Sequence, residues 1–504
     1  MTTEPAMAPS LDEVRELAAS GEWRRIPVKR ELFADRFTTI EVMRRVRAVS
    51  NHCFLLESAE NDQRWGRYSF IGFNPTVEIT CQDGTLTTRT DVEGPGEPSV
   101  ERRQVEHPGD AVRALLAAHR SPQLPGFPPF TGGLVGYFSY DYLKYAEPTL
   151  RREGLGHEDF LDMDLMLFDR IIAFDSYRQR VVLIASVDAD TPDLEAAYAG
   201  AAARLDEVQA IIEGGERYPF QPLHLASALE PRFDEARYCE MVRTAKHHIV
   251  EGDIFQVVLS DPQVAPAEGS LFDTYRVLRT TNPSPYMCFF SSDDVEVAAA
   301  SPETLARLQD GEMYTYPLAG TRPRGATPEE DAELERGLLA DEKELAEHNM
   351  LVDLGRNDIG RVAELGSVRV ETYHDVLKYS HVMHIGSTVS GTLAADKDGV
   401  DVIDAILPAG TLSGAPKIRA CQIIGDLEGE KRGIYGGALG YLDFSGNLDT
   451  CIAIRLAYKK NGVVCVQSGA GIVADSVPER EFQECQNKAR AVVNALYEAE
   501  GGLA

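Results

Sequence analysis

The sequence predicts an α+β fold dominated by antiparallel sheet. Two observations predict it. Strand-like apolar runs come in neighbouring pairs with few βαβ alternations between them. Long helical stretches interleave with those pairs at 327–354, 414–427 and 477–498. No fixed-period repeat points to a solenoid or propeller.

The elements follow in chain order. Residues 1–24 read as a tail running into a short helix, SLDEVRELAAS. Residues 25–185 alternate strand-like runs (CFLLES, RYSFIGF, TVEITC, IIAFDS, RVVLIAS) with turn-rich EGPGEPS and LPGFPPFTGG. Residues 190–213 read as a helix with Leu194, Tyr198, Ala202, Leu205 and Ile211 among polar residues. The Gly- and Pro-containing stretch 214–232 reads as a linker. From 233 the pattern changes. FDEARYCEMVRTAKHHIVEG is an amphipathic helix feeding the strand DIFQVVLS. VEVAAAS, MYTYPLA, SVRVET, VMHIGSTVSG, GGALGYLDF, TCIAIRLAY and GVVCVQSG read as further strands. Thr327-Pro328-Glu329-Glu330 carries a cap residue, a first-turn proline and a glutamate three residues after the cap. Asp341 to Glu344 offers a second helix start. The expected organisation is therefore a tail (1–24), an N-terminal region (25–213), a linker (214–232) and a C-terminal region (233–500).

With 504 residues the chain can bury a large core without disulfides. Its 43% hydrophobic and 26% charged residues suit a soluble globular protein. The formal net charge of −30 argues against nucleic acid or an anionic membrane as partner, since phosphate contacts need clustered Lys and Arg. It leaves an anionic small substrate open. The eight cysteines form no C-x-x-C pair, and several sit in apolar runs as buried thiols. The N-terminus lacks a signal-peptide pattern, and no run of 18 apolar residues occurs, so a cytoplasmic location is expected.

Several residues could carry chemistry. On a helix, positions three apart share a face, so Glu344 projects with Glu347, and Glu481 with Glu484 and Lys488. Solvated helix faces are one reading. Paired carboxylates as hard oxygen ligands for Mg²⁺ are the other, favoured by the glycine-rich LGRNDIG and SGAGIVADS beside them. LPAGTLSGAPKIRA fails the phosphate-loop spacing, because Lys417 is followed by Ile418. It reads as a turn opening a helix, with Thr411 and Ser413 as hydrogen-bond donors. Gly469-Ala470-Gly471 either lets a ligand approach the backbone or forms a bulge. Arg455, among Ile and Leu in CIAIRLAY, needs a counter-charge such as a substrate carboxylate, or must reach the surface. His384 reads as a core histidine or an acid–base group.

Together PSPYM, ASPE, YPLAGTRPRG, ADEKELAEHNMLVDLGRND, SHVMHI, LPAGTLSGAPKIRA, YGGALGYLDFSGNLDTCIAIR and SGAGIVADSVPEREFQEC resemble, in order, the chorismate-utilising enzyme family over about residues 233–500. LLES and GRYSFIG extend the resemblance into 25–185, nearest the branch that makes anthranilate for tryptophan synthesis. The resemblance implies large, mainly antiparallel sheets forming a sandwich flanked by helices. It implies Glu347 and Glu484 as Mg²⁺ ligands, with Glu344 and Glu481 as nearby carboxylates. Gly320, Thr321, Tyr435, Arg455, Gly469, Ala470 and Gly471 would contact chorismate, Arg455 on the enolpyruvyl carboxylate. His384, Thr411 and Lys488 would complete the site, with Glu303 or Glu344 as general acid and His384 assisting pyruvate elimination. Relatives that add water carry lysine where this chain has Gln256. Those that use a covalent lysine carry it where this chain has Ala319. Direct attack by ammonia is thus implied, and an aminodeoxychorismate or 2-amino-2-deoxyisochorismate synthase is the alternative among enzymes. A non-catalytic tryptophan-binding relative is the alternative outside them. No G-x-C-x-G nucleophile segment is present, so ammonia would come from a separate glutamine amidotransferase subunit, in a heterotetramer. Glu57, Ser58, Pro285, Tyr286, Met287 and Tyr441 match a tryptophan feedback site. LSDPQ departs from the family's more usual L-S-Q-R.

Overall fold

The structure, a computed structural model, describes residues 7–59, 66–94, 96–152, 159–378 and 382–503. Residues 1–6 of the expected tail and the first two residues of SHVMHI lie outside it.

Among the described residues, two large sheets form the molecule, one of 13 strands and one of 12. The first runs, in spatial order, from Arg25–Phe33 through Arg180–Asp188, Arg170–Asp175, Tyr68–Phe73, Cys53–Glu57, Tyr286–Ser291, Glu296–Ser301 and Leu456–Lys460 to Val463–Ile472 and Gln256–Glu268. The second runs from Leu318–Pro323 through Val382–Thr392, Glu312–Thr315, Thr304–Gln309, Leu448–Ile452, Ala438–Asp443, Gly133–Phe138 and Met163–Phe168 to Val77–Gln82, Thr85–Thr90 and Ser99–Gln104. Neighbouring strands pair antiparallel throughout, as in the central pairs Tyr286–Ser301 and Ala438–Ile452. Strands from before and after 214–232 share both sheets. Within 214–232, His224–Leu225 and Glu230–Pro231 pair with the Gln256–Glu268 strand.

Burial explains the layering. Phe54, Phe70, Tyr137, Phe168, Phe290 and Leu439 come from both sheets and fill the space between them. Phe54 packs edge-on to Phe168 with ring centroids 4.8 Å apart. Such aromatic pairs add about 0.5–1.5 kcal/mol beyond their burial. The outer face of the first sheet packs under helices through Val46, Leu205, Phe272 and Val492. That of the second packs through Val112, Val352 and Ile403. This is the expected sandwich flanked by helices. The Tyr286–Ser291 strand shows why its sequence reads as one apolar run. Cys288 and Phe290 face the inter-sheet layer, while Met287 and Phe289 face the helices, so both faces are buried.

The helical stretch at 327–354 is two helices, Pro328–Leu339 and Glu342–Gly360. Thr327 caps the first by accepting from Glu330 N–H, and Asp341 caps the second by accepting from Lys343 and Glu344 N–H. The helix expected at 414–427 starts at Lys417, because Gly414–Ala415 pairs as strand with Gln256–Val257. All eight cysteines are buried free thiols. No helix among the described residues is long and apolar enough to cross a membrane.

Candidate active site

The floor of the site is the pairing of Val463–Ile472 with Gln256–Glu268. Its register sets Gly469 opposite Ser260, Ala470 opposite Leu259 and Gly471 opposite Val258. A Cβ on Gly469 would stand 2.6 Å from Leu259 O and 3.0 Å from the Tyr435 hydroxyl, so only glycine fits. A Cβ on Gly471 would stand 2.7 Å from Gln256 Nε2. Gln256 is buried, and its Oε1 has no hydrogen-bond partner among the described residues. Tyr435 is buried beside this floor, and burial holds its hydroxyl above the usual tyrosine range.

Arg455 and Glu303 stand at the end of that floor. Arg455 takes a left-handed backbone conformation, φ +53°, uncommon for a residue with a Cβ. Its Nη1 donates to Lys488 O at 3.0 Å, which ties it to the Pro478–Ala499 helix. Burial lowers its affinity for a proton, and the charges of Glu303 and Glu484 oppose that. Glu303 sits in the connection between Glu296–Ser301 and Thr304–Gln309, where its carbonyl accepts from Ile452 N–H at 2.9 Å. Its Oε1 accepts from Thr411 Oγ1 at 3.1 Å. Burial pushes its carboxyl up to about 7, against the pull of Thr411, Arg455 and Lys488. A carboxyl with that affinity exchanges a proton near neutrality.

His384 lies across from Thr321, at a bulge in the pairing of Leu318–Pro323 with Val382–Thr392. Gly320, φ +66°, makes that bulge. His384 Nδ1 is 3.1 Å from Gly320 O and 3.0 Å from Thr321 Oγ1. A carbonyl only accepts, so the bond to Gly320 assigns the proton to Nδ1 and leaves Nε2 as the basic nitrogen. Burial lowers the pKa of the ring, which favours the neutral form.

The carboxylates of the two helices lie within electrostatic reach of one another. Glu347 is raised by burial first, then by the charges of Glu344 and Glu484, with Lys488 and Lys343 opposing. Glu481 is raised by burial and by Glu484. Glu484 pairs with Lys488 Nζ at 2.7 Å, and Glu344 lies 3.6 Å from Arg322 Nη1. Among the described residues, no three His, Cys, Asp or Glu side chains are gathered closely enough to hold a metal ion. The donor set nevertheless fits Mg²⁺. That ion takes one or two carboxylates and fills its remaining positions with waters and an anionic substrate group, and mutual repulsion between Glu347 and Glu484 is what a cation relieves.

Five of the six residues matched to an effector site come together around one cavity. Glu57, Ser58, Pro285, Tyr286 and Tyr441 line a cavity of about 130 Å³ at the edge of the inter-sheet layer. Met287 turns to the opposite, helix-covered face, as its alternation with Tyr286 demands. Glu57 Oε1 accepts from Thr39 at 2.7 Å and Arg279 at 3.1 Å, and its Oε2 takes Tyr275 at 2.5 Å and Arg279 Nε at 2.8 Å. Its four acceptor positions are thus filled from within the protein. Tyr286 OH donates to Asp449 at 2.7 Å and lies 3.0 Å from Thr304 Oγ1, the neighbour of Glu303.

Sequence reasoning missed the ion pair of Lys417 with Asp358, 2.8 Å, which fixes the Glu342–Gly360 helix to the start of the Lys417–Glu428 helix. Its signal was Asp358 beside Ile359, four residues after Leu354 and three after Gly355 on the buried side of the Glu342–Gly360 helix. Arg322, which pairs with Asp341 at 2.8 Å, was also passed over.

The family model described as chorismate binding enzyme matches residues 51–494. Anthranilate synthase component 1 of Acetivibrio thermocellus is 42% identical over 501 residues, 97% of this chain and 99% of that one. The solved anthranilate synthase component I of Streptococcus pneumoniae TIGR4 superposes with a TM-score of 0.71 at 36% identity, covering 86% of this chain and 93% of that one. The menaquinone-specific isochorismate synthase of Escherichia coli shares the fold at 19% identity, with a TM-score of 0.68 over 96% and 98% of the two chains. On these matches, and with two antiparallel sheets carrying the motifs in family order, the chain belongs to the chorismate binding enzyme family, in its anthranilate synthase component 1 branch.

Proposed function

We propose that this chain is the aminase of an anthranilate synthase: it converts chorismate and ammonia to anthranilate and pyruvate, with Mg²⁺ bound between Glu347 and Glu484. The observation that carries the reading is the grouping of Glu303, Thr411 and Arg455 at the Gly469–Gly471 floor, with the charge of Glu484 acting on both Arg455 and Glu347. Near-full-length similarity to anthranilate synthase component 1 supports it.

Each residue then has a task. The glycine floor lets the ring lie against backbone N–H groups. Arg455 takes the enolpyruvyl carboxylate in its forked geometry. Mg²⁺, when bound, neutralises the ring carboxylate and draws electron density from the ring. Glu303, protonated near neutrality, gives its proton to the C4 hydroxyl, which leaves as water while ammonia bonds to C2, and the new C2 ammonium releases its surplus proton to solvent. His384 then takes the C2 proton through Nε2. The C3–oxygen bond breaks, and the enolpyruvyl group departs as pyruvate after protonation. Gln256 cannot activate water as a lysine can, and Ala319 cannot form a covalent adduct, which favours ammonia as the nucleophile.

Two finer features belong to the same reading. Ammonia comes from a separate glutamine amidotransferase subunit. Tryptophan occupies the cavity under Tyr286 and Tyr441 and inhibits. Glu57 holds that pocket together through Arg279, and an amino group reaching it must displace one of its present donors.

The test is to mix the purified chain with chorismate, MgCl₂ and an ammonium salt at mildly alkaline pH, with mass spectrometry and anthranilate fluorescence as readouts. Anthranilate plus pyruvate is the expected outcome, lost on chelation and reduced by added tryptophan. An aminated ring that keeps its enolpyruvyl group would replace this reading with an aminodeoxychorismate or aminodeoxyisochorismate synthase.

A further inference from the structure

We propose that Arg432 is a positioning residue for this site: its buried guanidinium clamps the Thr411 turn, the Gln256–Ser260 edge of the floor and Tyr435 into one unit. The proposal rests on the functional reading above. Arg432 is 2% exposed, a rare setting for an arginine. Its Nη1 donates to Leu412 O at 2.7 Å, and its Nη2 to Val258 O at 2.7 Å. Nε and Nη2 hold both oxygens of Glu428, at 2.8 and 2.6 Å. Glu428 Oε1 in turn accepts from Ser260 N–H at 2.8 Å and Ser260 Oγ at 3.0 Å. The guanidinium also lies 5.8 Å from the Tyr435 ring centroid.

Each anchored atom adjoins a group the proposed reaction uses. Val258 and Ser260 stand opposite Gly471 and Gly469. Leu412 follows Thr411, the donor to Glu303. Val258 N–H donates to Ser413 O at 2.9 Å, so the turn and the floor are already stitched where the guanidinium spans them. A planar fork can reach carbonyls on two segments and a carboxylate at once. A lysine ammonium has three donors on one atom and cannot span them.

The test uses the full chain with Arg432→Lys and the charge-free pair Arg432→Met with Glu428→Gln. The pair guards against unfolding by a single unpaired buried charge. Steady-state kinetics with chorismate and ammonium, thermal unfolding and amide hydrogen exchange are measured on each. Arg432→Lys is expected to keep a cooperative transition near that of the parent. It should lose about 100-fold in kcat, as for a sub-ångström to ångström misplacement of reacting groups, with KM for chorismate changed less than about threefold. The kcat pH profile should move its acidic group upward, because Thr411 no longer holds Glu303. Exchange should quicken at Val258 and Ser260. Parent-like kcat in both variants, or a loss that falls equally on kcat and KM in step with the melting temperature, overturns the proposal. If the parent itself makes no anthranilate, the functional reading fails instead. Unchanged exchange at Val258 and Ser260 in both variants would still overturn the clamp.

Discussion

Replacing Glu303 with glutamine separates what its carboxyl does for catalysis from what it costs the fold. Its carboxyl is raised from 4.5 to about 7, chiefly by burial. Between those values the folded state holds a proton that the unfolded state has released. Stability therefore falls as pH rises through that window; the penalty is absent below about 4.5 and complete above about 7. At about 1.4 kcal/mol per pKa unit, and allowing for its partly exposed edge, the penalty is about 2–3 kcal/mol. Glutamine keeps an oxygen to accept from Thr411 Oγ1 and carries no charge to bury. Unfolding entropy of about 2 cal/mol/K per residue gives this chain about 1 kcal/mol/K. Glu303→Gln should then melt about 2–3 °C above the parent at pH 8 and level with it at pH 4.5. Turnover of chorismate should fall about 10²- to 10⁴-fold at both ends of the activity range. Scanning fluorimetry across pH and a fixed-time anthranilate assay check both. A melting difference that does not vary with pH would refute the burial argument, and undiminished turnover would remove Glu303 as the acid.

Three further outcomes follow from the geometry. Gly469→Ala places a Cβ 2.6 Å from Leu259 O; forcing the strands apart should cost about 1–3 kcal/mol and most of the activity, read by thermal shift and turnover. Tyr286→Phe removes the hydroxyl bonded to Asp449 and Thr304; calorimetric titration should show weaker tryptophan binding, with a stability loss of about 0.5–1.5 kcal/mol from the hydrogen bond lost at the half-buried Asp449. Gly200→Ala, inside the Leu194–Gly214 helix and with only Arg204 within contact at 3.8 Å, should stabilise the fold by about 0.5–1 kcal/mol and leave turnover unchanged.

The sequence by itself determined the class of fold and the segments that carry chemistry. Apolar runs of strand length in neighbouring pairs dictate antiparallel sheet, because side-chain alternation and turn residues are local properties. Helix caps at Thr327 and Asp341 were readable for the same reason. Only the tertiary structure decided what stands across from what. It brought Glu303 to Thr411, 108 residues away, and Arg455 to Lys488, 33 residues away. It set strands from both sides of 214–232 side by side in both sheets, since that pairing is fixed by shared burial between the layers. It decided which face of the Tyr286–Ser291 strand meets the cavity, placing Tyr286 there and Met287 under the helices. It also filled the acceptor positions of Glu57 and buried Arg432 between the carbonyls of two distant segments, Leu412 and Val258. Charge compensation in a buried site depends on partners that spacing along the chain does not encode, which is why motifs named the residues and only the fold assigned their neighbours.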